Sequence, residues 1–229
     1  MPDLKRPVVA EFIGTFALVF IGGATIMNGY VAKAAVPLID VAIAHGLIFA
    51  LLITATMRVS GHLNPAVTIG VAVTRRLSAP HAVAYVVAQC AGAVAAALAL
   101  KAIFPADAAT ASRLGAQWVA GNVSTTAAIA LEGIATFFLV FVFFGTVVDP
   151  RGPKVGGFAT GLTVTAGILA IGPLTGASMN PARSFGPALV SGYFEGHLIY
   201  WIGPLLGGAL AGLLYDRVFL HGEPASRGA

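Results

Sequence analysis

The tripeptide Asn-Pro-Ala occurs twice in this chain, at Asn64-Pro65-Ala66 and at Asn180-Pro181-Ala182, each time in strongly apolar surroundings. An Asn that can cap a helix, followed by Pro at the first helical position, is a start signal for a helix. A helix that starts inside an apolar layer leaves backbone N–H donors without partners, which is tolerable only if they line a water-filled or protein-enclosed cavity. The two copies therefore predict a pore lined by two helix starts.

The layer itself follows from composition. Apolar residues make up 58% of the 229 positions and charged residues 10%, far from the mixture typical of soluble domains. Runs long enough to cross ~30 Å of hydrocarbon recur along the chain. The first run carries Glu11 and lacks a small-residue cleavage site, so no cleavable signal peptide is expected. The single cysteine, Cys90, excludes an internal disulfide; no Cys/His cluster suggests a metal, and no cofactor is expected.

In order, spans are predicted over Pro7–Gly29, Leu38–Met57, Ala82–Phe104, Thr125–Val148, Gly156–Ile171 and Leu198–Leu220, with 105–122 as a long central loop. The Asn64 segment ends near Thr74 and the Asn180 segment near Val190. Each has about ten helical residues, ~15 Å at 1.5 Å per residue, so neither crosses alone. The expected fold is an all-α integral membrane protein of six transmembrane helices plus two re-entrant half-helices. It is read as one channel domain, with half-repeats 1–104 and 123–229.

Nine of the 13 Lys and Arg residues fall on the side of the termini and three on the other, which predicts both termini in the cytoplasm. The short tails point to a bacterial inner membrane. Glu11-Phe-Ile-Gly-Thr-Phe-Ala-Leu-Val-Phe in the first span is echoed by Glu132-Gly-Ile-Ala-Thr-Phe-Phe-Leu-Val-Phe in the fourth. Because each half holds three spans, the second enters the membrane with opposite polarity, an inverted repeat. One short helix then enters from each side, and their N-termini meet near the midplane. Each offers unpaired N–H groups and about half a positive charge, and Asn64 and Asn180 add amide donors. Water can give its lone pairs to those amides, while cations and protons are opposed.

The paired motifs, the extension to Asn180-Pro181-Ala182-Arg183-Ser184 and the paired acids together make the chain resemble the aquaporin (major intrinsic protein) family over nearly its whole length. The resemblance implies a channel for water and small neutral solutes in a lipid membrane, with a pore in each subunit of a homotetramer. It also implies a second constriction of four residues. Arg183 follows the second motif, Ala177 lies three residues before its Asn, and Ile168 lies twelve before it. The fourth position, in the second span, matches His45. The family has one more residue between Ser-Gly and His than Ser60-Gly61-His62; if that gap belongs elsewhere, Ala44 takes the place of His45. The set His45, Ile168, Ala177 and Arg183 resembles the filters of plant vacuolar-membrane aquaporins and implies an opening wide enough for water and also ammonia or urea. Ser184, Ala188 and the pair Tyr200-Trp201 resemble water channels more than glycerol channels.

The same resemblance gives Glu11 and Glu132 a structural role, accepting hydrogen bonds from the re-entrant loops, although intramembrane acids also serve as coupling groups in proton-driven transporters. His62 is expected to line the pore on the side of the termini, the alternative being a hydrogen bond that stabilises its loop. Cys90 is expected to be a packing residue. A glycerol or small-solute facilitator and a proton-coupled transporter are the other functional classes. No nucleophile-base pair supports an enzyme, and nothing points to nucleic acid.

Overall fold

Every predicted span is a helix in the computed structural model, which describes residues 4–153 and 155–220. Lys154 and Arg227, both counted among the cations on the side of the termini, lie outside the described residues. The elements in order are α1 (Lys5–Ala32), α2 (Leu38–Thr56), α3 (Pro65–Val73), α4 (Ala79–Ile103), α5 (Ala106–Ala111), α6 (Thr125–Phe143), α7 (Gly157–Thr175), α8 (Pro181–Ser191) and α9 (Ile199–Tyr215). Six of these runs are long and apolar enough to span a bilayer. The half-helices α3 and α8, with 9 and 11 residues, are about 14 and 17 Å long and together match one hydrocarbon thickness.

The six spans pack in pairs that follow the repeat: α1 against α4 and α6 against α9, with α2 and α7 meeting between the halves. Small residues allow this. A Cβ on Gly207 of α9 would lie 2.0 Å from the Gly133 carbonyl oxygen of α6, so the two backbones touch in a way that only glycine permits. Large apolar residues such as Leu51, Ile134 and Leu210 point outward and are more than half exposed, as expected where the solvent is lipid.

Three features depart from the expected spans. The fifth span continues past Ile171 to Thr175 with Pro173 inside its last turn. Spans four and six end in five-residue π-helical turns, Phe144–Val148 and Asp216–Leu220. The stretch read as a central loop contains α5 and a tight turn, Arg113–Gly115, in which Arg113 and Leu114 both take positive φ.

On the side of the termini, Asp149 closes the end of the fourth span. Its carboxylate accepts from Arg151 N, Nε and Nη2 at 2.9, 3.1 and 3.1 Å, and Arg151 Nη2 also donates to the Phe219 carbonyl at 2.5 Å. Hydrogen bonds from the Arg151 side chain hold the Asp149 carboxyl below its usual value of 3.8. A depressed folded-state pKa means that this contribution is complete at neutral pH and is lost as pH falls through the folded value. Limited proteolysis of the 149–156 loop is therefore expected to stay constant from neutral to mildly acidic pH and to rise only in stronger acid; a rise near neutrality would contradict the latch.

Candidate functional site

The re-entrant loops are held by the two buried acids. Glu11 accepts from His62 N and Leu63 N at 2.8 and 2.6 Å, and from the Gln89 amide at 2.6 Å. Glu132 accepts from Ser178 N and Met179 N at 2.9 and 2.8 Å, and from the Thr175 hydroxyl at 2.7 Å. In both halves the two backbone donors belong to the residues one and two positions before the Asn. Both carboxylates are 0% exposed, so each is satisfied within the protein. The Tyr200 hydroxyl adds to the second bracket by donating to the Thr175 carbonyl at 2.8 Å.

The two helix starts meet through their asparagines. Asn64 Nδ2 donates to the Met179 carbonyl at 2.8 Å, and Asn180 Nδ2 donates to the Leu63 carbonyl at 2.9 Å. Leu63 and Met179 take positive φ, at 52° and 51°, in the residue just before each Asn. Each Asn also caps its own helix: Asn64 Oδ1 accepts from Ala66 N, and Asn180 Oδ1 from Ala182 N and Arg183 N. This modifies the expectation of open backbone donors, because those first-turn N–H groups are taken by the cap. What remains on each asparagine is its second amide hydrogen, since an NH2 group carries two.

Toward the face away from the termini, Arg183 is 6% exposed and His45 3%. Arg183 Nη1 donates to the Gly115 carbonyl at 2.7 Å, and Nη2 contacts His45 Nε2 at 3.1 Å. His45 Nδ1 lies 2.8 Å from the Val41 carbonyl. A guanidinium only donates and a carbonyl only accepts, so the imidazole carries its proton on Nδ1 and accepts at Nε2. His45, Ile168, Ala177 and Arg183 line one narrow cavity together with Asn64 and Asn180, of about 20 Å³, room for a single water. Ala44 does not line it. Above it opens a vestibule of about 610 Å³ walled by Tyr30, Gln117, Trp118 and others.

His62 is 8% exposed, with its ring edge-on to Tyr85 and Phe143 at 5.3 and 5.8 Å between centroids. Its Nδ1 lies 3.2 Å from the Thr68 hydroxyl, and the loop-stabilising contact is therefore present. Several residues of the site are absent from the sequence reading. Leu18 and Leu139 line the narrow cavity and stand at the same place in the repeated Glu-led segments, a signal the echo contained. Gly115 and Gln117 come from the central stretch and have no local pattern that announces them. Gln117 is 5% exposed, and neither atom of its side-chain amide has a hydrogen-bond partner. Cys90 is half-buried on α4 and lines neither cavity. Water flux is accordingly expected to be insensitive to mercury; a strong block reversed by Cys90→Ser would contradict this.

Two half-helices joined at their starts, each bracketed by a buried acid and placed below an arginine constriction, define a membrane channel built on an inverted repeat. The chain matches the family described as Major intrinsic protein over residues 1–215 and belongs to that family. It is 45% identical to "Aquaporin TIP4-4" of Zea mays over 94% of this chain and 87% of that protein, and 42% identical to "Aquaporin TIP4-1" of Arabidopsis thaliana over 96% and 88%. The X-ray structure of the aquaglyceroporin from Plasmodium falciparum superposes with a TM-score of 0.83, covering 94% of this chain and 97% of that one; at 24% identity it shows the fold. The relatives correct the expected location. They are plant proteins of the TIP type, which overturns the expectation of a bacterial inner membrane. The length of the tails, on which the earlier expectation rested, carries no physical information about the host membrane.

Proposed function

We propose that this chain is a passive water channel that excludes ions and protons and also passes ammonia and other small neutral solutes, without acting as an enzyme. The observation that carries the reading is the crossed pair of asparagine amides at the junction of two helix N-termini, below the narrow cavity that reaches His45 and Arg183. A water molecule at the junction accepts hydrogen bonds from Asn64 and Asn180, which turns its own hydrogens away and interrupts a proton relay. Cations meet two positive dipole ends and the Arg183 guanidinium. His45 supplies the polar group opposite Arg183, while Ile168 and Ala177 leave an apolar, small-sided wall that tolerates a solute slightly larger than water. His62 lines the path toward the termini through its Nε2, which has no partner among the described residues.

The domain is one channel unit of two half-repeats, and the family supports assembly as a homotetramer with a pore in each subunit. A glycerol facilitator is less well supported, because His45 stands beside Arg183 in the ring, as in the filters of vacuolar-membrane aquaporins that the sequence resembles. A proton-coupled transporter needs an acid on the path. Glu11 and Glu132 are instead engaged by loop N–H groups and line neither cavity. Proteoliposomes are expected to show water flux and an ammonia-driven rise in internal pH above protein-free vesicles. Water flux without ammonia flux would remove the solute extension.

A further inference from the structure

Why α1 carries a glycine at position 22 is answered by the ring that faces it. Gly22 is buried, and a Cβ built on it would lie 2.1 Å from His45 Nε2, 2.5 Å from Cε1 and 2.6 Å from Cδ2. All three nearest atoms belong to one imidazole. We propose that Gly22 is a positioning residue for the constriction: its missing side chain is the notch that seats the His45 ring against α1 and within reach of Arg183. This rests on the reading of His45 as a filter residue.

The notch acts on the ring and not on the helix. Next to Gly22, α1 is packed against the 113–115 turn, where a Cβ on Gly115 would lie 3.1 Å from Gly23 Cα. Backbone packed that closely cannot give way. The imidazole is the end of a side chain that turns about two bonds. A methyl group at position 22 would therefore swing the ring off Arg183 Nη2, breaking the 3.1 Å contact, and into a lumen that has room for one water. The neighbouring glycine provides a control, because a Cβ on Gly23 meets Leu100 Cδ1 at 2.5 Å and the Leu114 carbonyl at 3.3 Å, away from the ring.

The test is a pair of fluxes, water and ammonia, in proteoliposomes carrying Gly22→Ala, Gly23→Ala, His45→Ala and the double variant Gly22→Ala/His45→Ala. Gly22→Ala is expected to lower water flux about tenfold, the equivalent of one lost hydrogen bond, and to lower ammonia flux further, so that the ammonia-to-water ratio drops. Gly23→Ala should leave that ratio unchanged. His45→Ala should raise it, and adding Gly22→Ala to His45→Ala should then change nothing, because no ring remains to strike. An equal loss from Gly22→Ala in both backgrounds, or no loss in either, overturns the inference while leaving the filter reading intact. An unchanged ratio in His45→Ala overturns the filter reading and the inference together. Should Gly22→Ala fail to fold alone, recovery of folded protein in the double variant supports the notch, and failure of both variants overturns it.

Discussion

Replacing Glu132 with glutamine is expected to lower the stability of the folded channel by about 3 kcal/mol, through one unsatisfied buried donor and the loss of charge-assisted hydrogen bonds. The carboxylate presents two acceptor oxygens to three donors: Ser178 N, Met179 N and the Thr175 hydroxyl. An amide keeps one acceptor and turns an NH2 group toward a backbone N–H. The loop that carries Asn180 then loses its anchor on one side. Flux per folded subunit should fall with the thermal midpoint in detergent, and no dependence on a proton gradient should appear. A variant of unchanged stability would show that the second loop is held by other contacts. Glu11→Gln is expected to act in the same direction, partially impairing folding or flux, because Glu11 also carries the Gln89 amide.

Arg183→Ala should have the largest effect on what passes. It removes a buried cation whose donors go to the Gly115 carbonyl and His45, with no carboxylate among these partners. Loss of the guanidinium widens the ring and removes one of three positive features on the path. Urea or ammonia flux should rise by about tenfold or more, equivalent to roughly 1.4 kcal/mol of barrier, and a proton leak should become measurable. The two helix ends at the midplane remain, so exclusion weakens without disappearing. A variant with tighter exclusion or unchanged solute flux would contradict the placement of Arg183 at the constriction.

The legible parts of this molecule are those written in local chemistry. Asn followed by Pro is a cap and a first turn whatever surrounds it, and both half-helices begin at those residues. Glu11 and Glu132 stand out because a charge inside an apolar run demands partners, and the partners are the loops of the same half. His45 is favoured over Ala44 in the sequence because His45-Gly46-Leu47 lines up with the family's aromatic-Gly-Leu, and its contact with Arg183 at 3.1 Å supports that choice. The turn at Gly115, which accepts from Arg183, lies in a stretch without periodicity and owes its shape to the arginine and to the helices around it. The fate of the first-turn N–H groups was equally hidden, since capping and exposure to a lumen begin with the same residues. The fifth span runs four residues past its expected end because apolar composition does not change sharply at Pro173, whereas the fourth and sixth spans end where expected, at Val148 and Leu220, in π-helical turns.

The claim on which everything else depends is that water crosses through a preformed pore. Osmotic shrinkage of proteoliposomes, recorded by stopped flow over a range of temperatures with and without a pH gradient, tests it most directly. The predicted result is water permeability well above protein-free vesicles, with a low activation energy and no response to the gradient. Water flux with the activation energy of the bare bilayer, or flux that appears only with the gradient, would contradict the account.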